Sequence, residues 1–263
     1  MSELGLKRDS FITILSTRKS GKSYLIRELI YYFLTSSEQK CDYLYMFSNT
    51  AKFDASGTFN FVDKKVTFSA HPDVVEKIVK SILQLQLENQ KKTHILLMFD
   101  DIDLSAKYDQ SLELLATRGR HFNITTILSA QIATRAISPA IRNNTTYLFF
   151  RKLNAETIKK QIYSMIVSNS FETPQQLYDF VQQNIDDFKF VFYDNDSDKK
   201  ELLLFKADPI PEGFQYKVKA PKDETNTSKV AGKGYGVPIN MTLFNSAGNP
   251  LRPNPNGAGM KPI

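Results

Sequence analysis

An α/β domain with a mainly parallel sheet and helices on both faces is the fold class this sequence predicts, and three observations predict it. Short apolar runs alternate with longer amphipathic ones along residues 1–208, the pattern of strands joined by crossover helices. The first apolar run, Phe11 to Leu15, leads through Ser16-Thr17-Arg18-Lys19-Ser20-Gly21-Lys22-Ser23 into the helix-like stretch Tyr24 to Phe33. A later run, Ile95 to Phe99, ends on two adjacent carboxylates, Asp100 and Asp101.

The elements follow in order. Strands are expected at Phe11 to Leu15, Tyr43 to Phe47, Val66 to Phe68, Ile95 to Phe99, Thr125 to Leu128 and Tyr147 to Phe150. Between them, Asp73 to Gln90 repeats apolar residues at Val74, Val75, Ile78, Ile82, Leu85 and Leu87, with Pro72 at the first helical position. Further helices are expected at Gln110 to Thr117, Ala155 to Val167 and Pro174 to Asn184. The runs Phe188 to Tyr193 and Glu201 to Phe205 flank the turn-prone Asp194 to Asp198 and predict a C-terminal β-hairpin.

A chain of 263 residues, 41% hydrophobic and 24% charged, is long enough for one large domain with a sizeable core. A single cysteine, Cys41, excludes an intrachain disulfide and a cysteine-rich zinc site, and a reducing compartment is expected. No apolar stretch reaches the length of a membrane span and the first residues lack a secretory hydrophobic region, so a soluble, intracellular protein is expected. The net charge of +6 is concentrated from Pro209 onward, where seven basic residues stand against three acidic ones. That stretch also holds eight of the 11 prolines and seven of the 11 glycines. The organisation read from this is a domain over residues 1–208 and a basic, Gly/Pro-rich, flexible tail over 209–263. The tail suits contact with nucleic acid or an acidic surface, or serves as a solvated tether.

Ser16-x-x-x-x-Gly21-Lys22-Ser23 has the spacing of a P-loop, whose backbone N–H groups and lysine surround nucleotide phosphates. Residues Ser16 to Ser23 are therefore the candidate nucleotide-binding segment. One position departs: Ser16 stands where the motif has its first glycine, and serine resists backbone angles that glycine permits. The run ending on Asp100 and Asp101 has the form of a Walker B strand. Asp100 would hold the shell of a Mg²⁺ ion, and Asp101 would orient and deprotonate an attacking water. A strand ending on two aspartates is common by itself, and either Asp101 or Asp103 could simply cap the next helix. Further on, Arg118-Gly-Arg-His121 precedes a strand that ends in Ser129-Ala-Gln131. If that strand inserts between the P-loop strand and the Walker B strand, Gln131 comes to the γ-phosphate end, where an amide positions water. Arg118 and Arg120 either complement a helix dipole or, in a ring of subunits, reach a neighbour's nucleotide.

The Ser-Gly-Lys-Ser loop, the Phe-Asp-Asp strand end, Arg118-Gly-Arg-His121 followed by Ser129-Ala-Gln131, and Ile141-Arg-Asn-Asn144 before Tyr147-Leu-Phe-Phe150 together resemble the poxvirus-type genome-packaging ATPases of large DNA viruses and virophages, within the FtsK-HerA superfamily. The resemblance covers about Phe11 to Lys206. It implies a P-loop NTPase fold of the RecA/ASCE type, ATP and Mg²⁺ as ligands, and hydrolysis coupled to translocation of double-stranded DNA into a preformed capsid. It also implies that Lys22 and Ser23 contact phosphate and Mg²⁺ and that Asp100 holds Mg²⁺, with catalysis by Asp101, a sensor role for Gln131, and an arginine finger drawn from Arg142, Arg118 or Arg120. The partners implied are duplex DNA gripped without regard to sequence, a homo-oligomeric ring, and a capsid or portal-vertex protein. The setting implied is the host cytoplasm, a viral factory or the virion. The pairs Lys64-Lys65, Lys91-Lys92 and Lys159-Lys160 are candidates for the DNA grip, against the plainer reading of solvated helix or loop ends. Two other classes compete with the motor: a small-molecule nucleoside or nucleotide kinase, and a nucleotide-binding assembly module that does not hydrolyse.

Overall fold

The computed structural model describes all residues except 18, 52–56, 103–105, 132–136, 153–155, 167–170, 186–187, 219–250, 254–259 and 263. It begins with a 3-10 turn, Ser2–Leu4, followed by β1 (Phe11–Ser16), α1 (Lys22–Thr35), β2 (Tyr43–Ser48), β3 (Thr67–Phe68), α2 (Pro72–Glu88), β4 (Ile95–Ile102) and α3 (Ala106–Arg118). Next come β5 (Ile124–Gln131), α4 (Pro139–Asn144), β6 (Tyr147–Phe150), α5 (Glu156–Met165), α6 (Pro174–Asn184), β7 (Lys189–Asp194) and β8 (Leu202–Lys206). Eight strands form one open sheet in the order β3-β2-β4-β5-β1-β6-β7-β8. The six from β3 to β6 are parallel, and β7 and β8 close the far side as an antiparallel hairpin.

The reason is legible residue by residue. Every residue of β1 is buried, as a central strand covered on both faces requires, and its apolar positions Phe11, Ile12, Ile14 and Leu15 supply the core. α1 lays Leu25, Ile26, Leu29, Ile30 and Phe33 onto the sheet at helical spacing. α2 does the same with Val75, Ile78, Val79 and Ile82, and Pro72 occupies its first turn as expected. Gln86 on α2 is fully buried because its amide is spoken for: it donates to the carbonyls of Thr93 (2.8 Å) and Phe122 (2.6 Å) and accepts from the Thr93 hydroxyl (3.0 Å).

Some expectations need adjusting. The stretch at Val66 is a 3-10 turn, Lys64–Val66, and the strand beyond it is only Thr67–Phe68. α3 starts earlier than its apolar repeat suggested, at Ala106. The short α4 was not expected; Ser138 caps it by accepting from the Ile141 N–H at 3.3 Å, and Pro139 fills its first turn. Packing also continues past Asp208. Phe214 meets Tyr31 edge-on at 4.9 Å, and the Tyr216 backbone joins Phe61 and Asp63 by hydrogen bonds of 2.7 and 3.0 Å. The Tyr216 hydroxyl accepts from the Leu44 N–H at 3.0 Å, and burial pushes its phenol pKa up to about 12. β3 is too short to pair with that part of β2, so Tyr216 caps a sheet edge that would otherwise be bare. Two aromatics in a Pro/Gly-rich stretch outweigh its composition as far as Val218. Beyond it, the greater part of the tail lies outside the described residues, apart from an antiparallel ribbon of β9 (Leu251–Pro253) and β10 (Met260–Pro262). No helix among the described residues is long and apolar enough to cross a membrane.

Candidate functional site

Strand order decides which residues meet. β5 lies between β1 and β4, so the carboxyl ends of the P-loop strand, the Gln131 strand and the Asp100 strand are adjacent. Ser16 and Gln131 stand side by side in register. In open α/β sheets this edge is where ligands bind.

The loop from Ser16 to Gly21 turns the chain from β1 into α1. Ser16 itself ends β1 in extended backbone and is fully buried, so the glycine-like angles fall elsewhere: φ is 56° at Lys19 and 85° at Gly21. The departure at position 16 thus sits where no positive φ is needed. Gly21 is required twice over, since a Cβ there would lie 2.7 Å from Cδ1 of Phe188. No side chain caps the helix that follows, leaving the N–H groups of its first turn and the positive end of its dipole for an anion. Lys22, the first helical residue, is buried, and its Nζ donates to Asp101 Oδ1 at 3.4 Å.

Adjacent residues in a regular strand point to opposite faces, so Asp100 and Asp101 could not both serve one site from an ideal β4. The strand is not ideal. Its register with β5 shifts between Phe99 and Ile102, and Asp101 has φ 54°. This bulge re-aims the second carboxylate, in a backbone region that aspartate tolerates better than most residues. Asp100, 5% exposed, accepts from the Ser48 hydroxyl at 3.2 Å through Oδ2. Both acids line a cleft of about 590 Å³ together with Thr17, Lys19, Ser20, Lys22 and Ser23. The oxygen donors in it, the Ser23 hydroxyl and the Asp100 carboxylate, fit Mg²⁺, which prefers hard oxygen ligands and keeps positions for water and phosphate.

Of the residues expected here from sequence, Arg18 and the side chain of Gln131 lie outside the described ones; the Gln131 backbone is at the tip of β5. The three arginines are not in this cleft. Arg118 ends α3 and Arg120 follows it, beside the start of β5. Arg120 lines a hollow with Asp9, Ser10, Asn143 and Asn144, at the amino ends of the central strands. Arg142 sits on α4 and donates to the Ser164 hydroxyl at 3.2 Å. A strand as long as β1 rises about 20 Å, which separates this edge from the phosphate edge. Two of the basic pairs are engaged within the fold: Lys91 lies 5.3 Å over the Phe122 ring, and Lys159 pairs with Glu156 at 2.7 Å and covers Tyr178.

Arg151, just past β6, was missed. Its guanidinium donates to the Ser20 carbonyl in the P-loop and lies 5.6 Å over the Phe190 ring of β7, while its backbone N–H bonds Leu15 at 3.2 Å. A cation placed directly after the buried run Tyr147-Leu-Phe-Phe150 was the available signal. Phe188, against Gly21, carried no such signal, because it was read as the start of a strand.

No model of a known protein family matches the chain. Over 171 residues, 59% of its length, it is 25% identical to the uncharacterised protein L437 of Acanthamoeba polyphaga mimivirus, and it spans 57% of that protein's length. Among solved structures it is similar to the genome packaging NTPase B204 of Sulfolobus turreted icosahedral virus 2 in complex with ATP-gammaS. That match is 18% identical with a TM-score of 0.54, over 78% of this chain and all of the other. It is also similar to the cytoplasmic domain of the type VII secretion ATPase EccC of Thermomonospora curvata, 12% identical with a TM-score of 0.51, over 77% of this chain and 26% of that one. At such identities the likeness is one of fold: the chain has the mainly parallel α/β fold of these P-loop proteins.

Proposed function

We propose that the protein is an ATP-hydrolysing motor that drives double-stranded viral DNA into a preformed capsid. The observation that carries this reading is the convergence of Lys22, Asp100 and Asp101 on one cleft, through the β4 bulge and a strand order that sets β5 between their strands. It is supported by the fold shared with a viral genome packaging NTPase that binds an ATP analogue.

In this reading the triphosphate lies on the first turn of α1, and Lys22 turns from Asp101 toward the β- and γ-phosphates. That exchange frees the Asp101 carboxylate to take a proton from water, while the Gln131 amide orients that water in line with the γ-phosphate. Ser23 and Asp100 hold magnesium, which when bound neutralises charge on the phosphate oxygens. Arg151 keeps the loop in place from behind. Arg142, Arg118 or Arg120 completes the site of an adjacent subunit in a homo-oligomeric ring, and a capsid or portal-vertex protein receives the DNA. The DNA grip is electrostatic and independent of sequence.

The test is phosphate release from ATP with magnesium, with and without long duplex DNA, on protein whose oligomeric state is measured under the same conditions. The motor predicts a DNA-stimulated rate that fades as salt rises, in an assembly larger than a monomer. A strict monomer that phosphorylates an added nucleoside, indifferent to DNA, would overturn it in favour of a kinase.

A further inference from the structure

We infer that Phe188 is a stacking platform for the nucleobase, with Tyr24 contributing to the same subsite, so that the cleft takes purine nucleoside triphosphates with little distinction between adenine and guanine. This rests on the reading of the cleft as a nucleotide site. Four observations carry it. The cleft wall extends past the P-loop and the two acids to Arg27, Thr50 and Thr58, and the aromatic side chains among its lining residues are Phe188 and Tyr24. Both are exposed, 54% and 57%, in a chain whose other described phenylalanines lie in or against the core. An exposed aromatic face beside a polar cleft is apolar surface awaiting a planar partner.

The third observation is backbone strain. Phe188 has φ 66°, a left-handed conformation that a bulky residue adopts only when its surroundings over-determine it, and such outliers cluster at ligand clamps. β7 begins at the next residue, so the ring is delivered from the fixed end of a strand. The fourth is its seat. Cδ1, Cβ and Cγ of Phe188 would lie 2.7, 3.0 and 3.2 Å from a Cβ at Gly21, so ring and loop are in contact at the N-terminus of α1. A triphosphate on that turn directs its α-phosphate, and the sugar and base beyond it, toward this wall. Tyr24 follows Ser23 in the same turn, with the Arg27 guanidinium 5.9 Å over its ring. Stacking on an aromatic face accepts any base and favours the larger purines; the edge hydrogen bonds that tell adenine from guanine are not part of it.

The test is calorimetric binding of ATP and of inorganic tripolyphosphate, both with magnesium, to the full chain. For Phe188→Ala we expect ATP affinity to fall about tenfold, within the range measured for aromatic–base stacks, with tripolyphosphate affinity unchanged. The unchanged tripolyphosphate arm also shows that the variant is folded. The chain contains no tryptophan, so Phe188→Trp introduces a unique fluorophore. Its emission should respond to ATP and GTP alike and stay unchanged with tripolyphosphate. Equal ATP affinity for wild type and Phe188→Ala, or a Phe188→Trp signal blind to nucleotide, overturns the platform alone. Wild-type protein that binds neither ATP nor tripolyphosphate overturns the nucleotide site itself.

Discussion

The two edges of the central sheet are built in opposite ways. At the carboxyl edge, two charged groups, Lys22 and Asp100, are buried, two more, Lys19 and Asp101, are held at positive φ, and the loop is tied down from Arg151. At the amino edge, Arg118 at the end of α3 and Arg120 just past it are exposed, beside Asn143 and Asn144. Buried charge and strained backbone each cost stability and persist where a site is pre-organised. Exposed arginines cost almost nothing and can act only on something outside the chain. On the proposed reading, one molecule supplies the groups that meet phosphate, whereas the arginines of the amino edge serve a second molecule's site or none.

The sharpest way to break that contrast is at the bulge. Asp101→Asn keeps the size and shape of the side chain and removes the proton acceptor. Turnover should fall by about 10²–10⁴, the usual worth of a positioned general base, while ATP still binds. Lys22→Ala should lose nucleotide binding instead. Single-turnover hydrolysis with parallel calorimetry separates the two, and normal hydrolysis by Asp101→Asn would move the catalytic role off this carboxylate.

A mixing experiment probes the amino edge. If Arg142 serves a neighbouring site, Arg142→Ala should bind ATP normally and hydrolyse it about 10³-fold more slowly, within the range known for arginine fingers. Mixed with inactive Asp101→Asn protein, it should recover activity, because some interfaces then join an intact acid to an intact arginine. Arg118→Ala and Arg120→Ala in the same assay would rank the three. If no pairing restores turnover, the amino edge has no part in the chemistry.

How much of this could be read beforehand follows from the range of each signal. Loop spacing, the apolar runs and the paired acids are local, and they led to the right elements, though Val66 and the start of α3 were misplaced by a few residues. The insertion of β5 between β1 and β4 was stated as a condition, because strand order is a long-range property that the residues near Gln131 do not encode. Three features escaped because their cause lies far away in the chain: the Asp101 bulge answers to β5, Arg151 to Ser20, and Tyr216 to the gap left beside β2 by a short β3. The packing of Phe214 and Tyr216 past Asp208 was not legible for the same reason, since composition averages over residues and a single phenol bonded to Leu44 does not.

Arg151 gives a smaller effect. Its hydrogen bond to Ser20 comes from a charged donor, and losing such a bond costs about 1.5 kcal/mol, or about tenfold in equilibrium terms. Arg151→Ala should therefore raise KM for ATP about tenfold with little change in kcat, and Arg151→Lys should restore part of it. A fall in kcat with KM unchanged would mean that Arg151 acts on the transition state rather than on the shape of the loop.

Ser16→Gly should do the least, which is what makes it informative. Restoring the motif's glycine tempts one to expect a faster enzyme, yet Ser16 is extended, fully buried and paired with Gln131 in the sheet. Glycine in a strand interior costs about 0.5–1 kcal/mol in chain entropy. Among the described residues the Ser16 hydroxyl has no hydrogen-bond partner, so removing it returns about 1 kcal/mol of desolvation cost. The two terms have opposite sign and similar size, so melting temperature and kcat should both stay close to wild type. A change of tenfold in kcat would show that the hydroxyl reaches the reacting phosphate, and the carboxyl edge would then extend one residue further into β1 than its geometry places it.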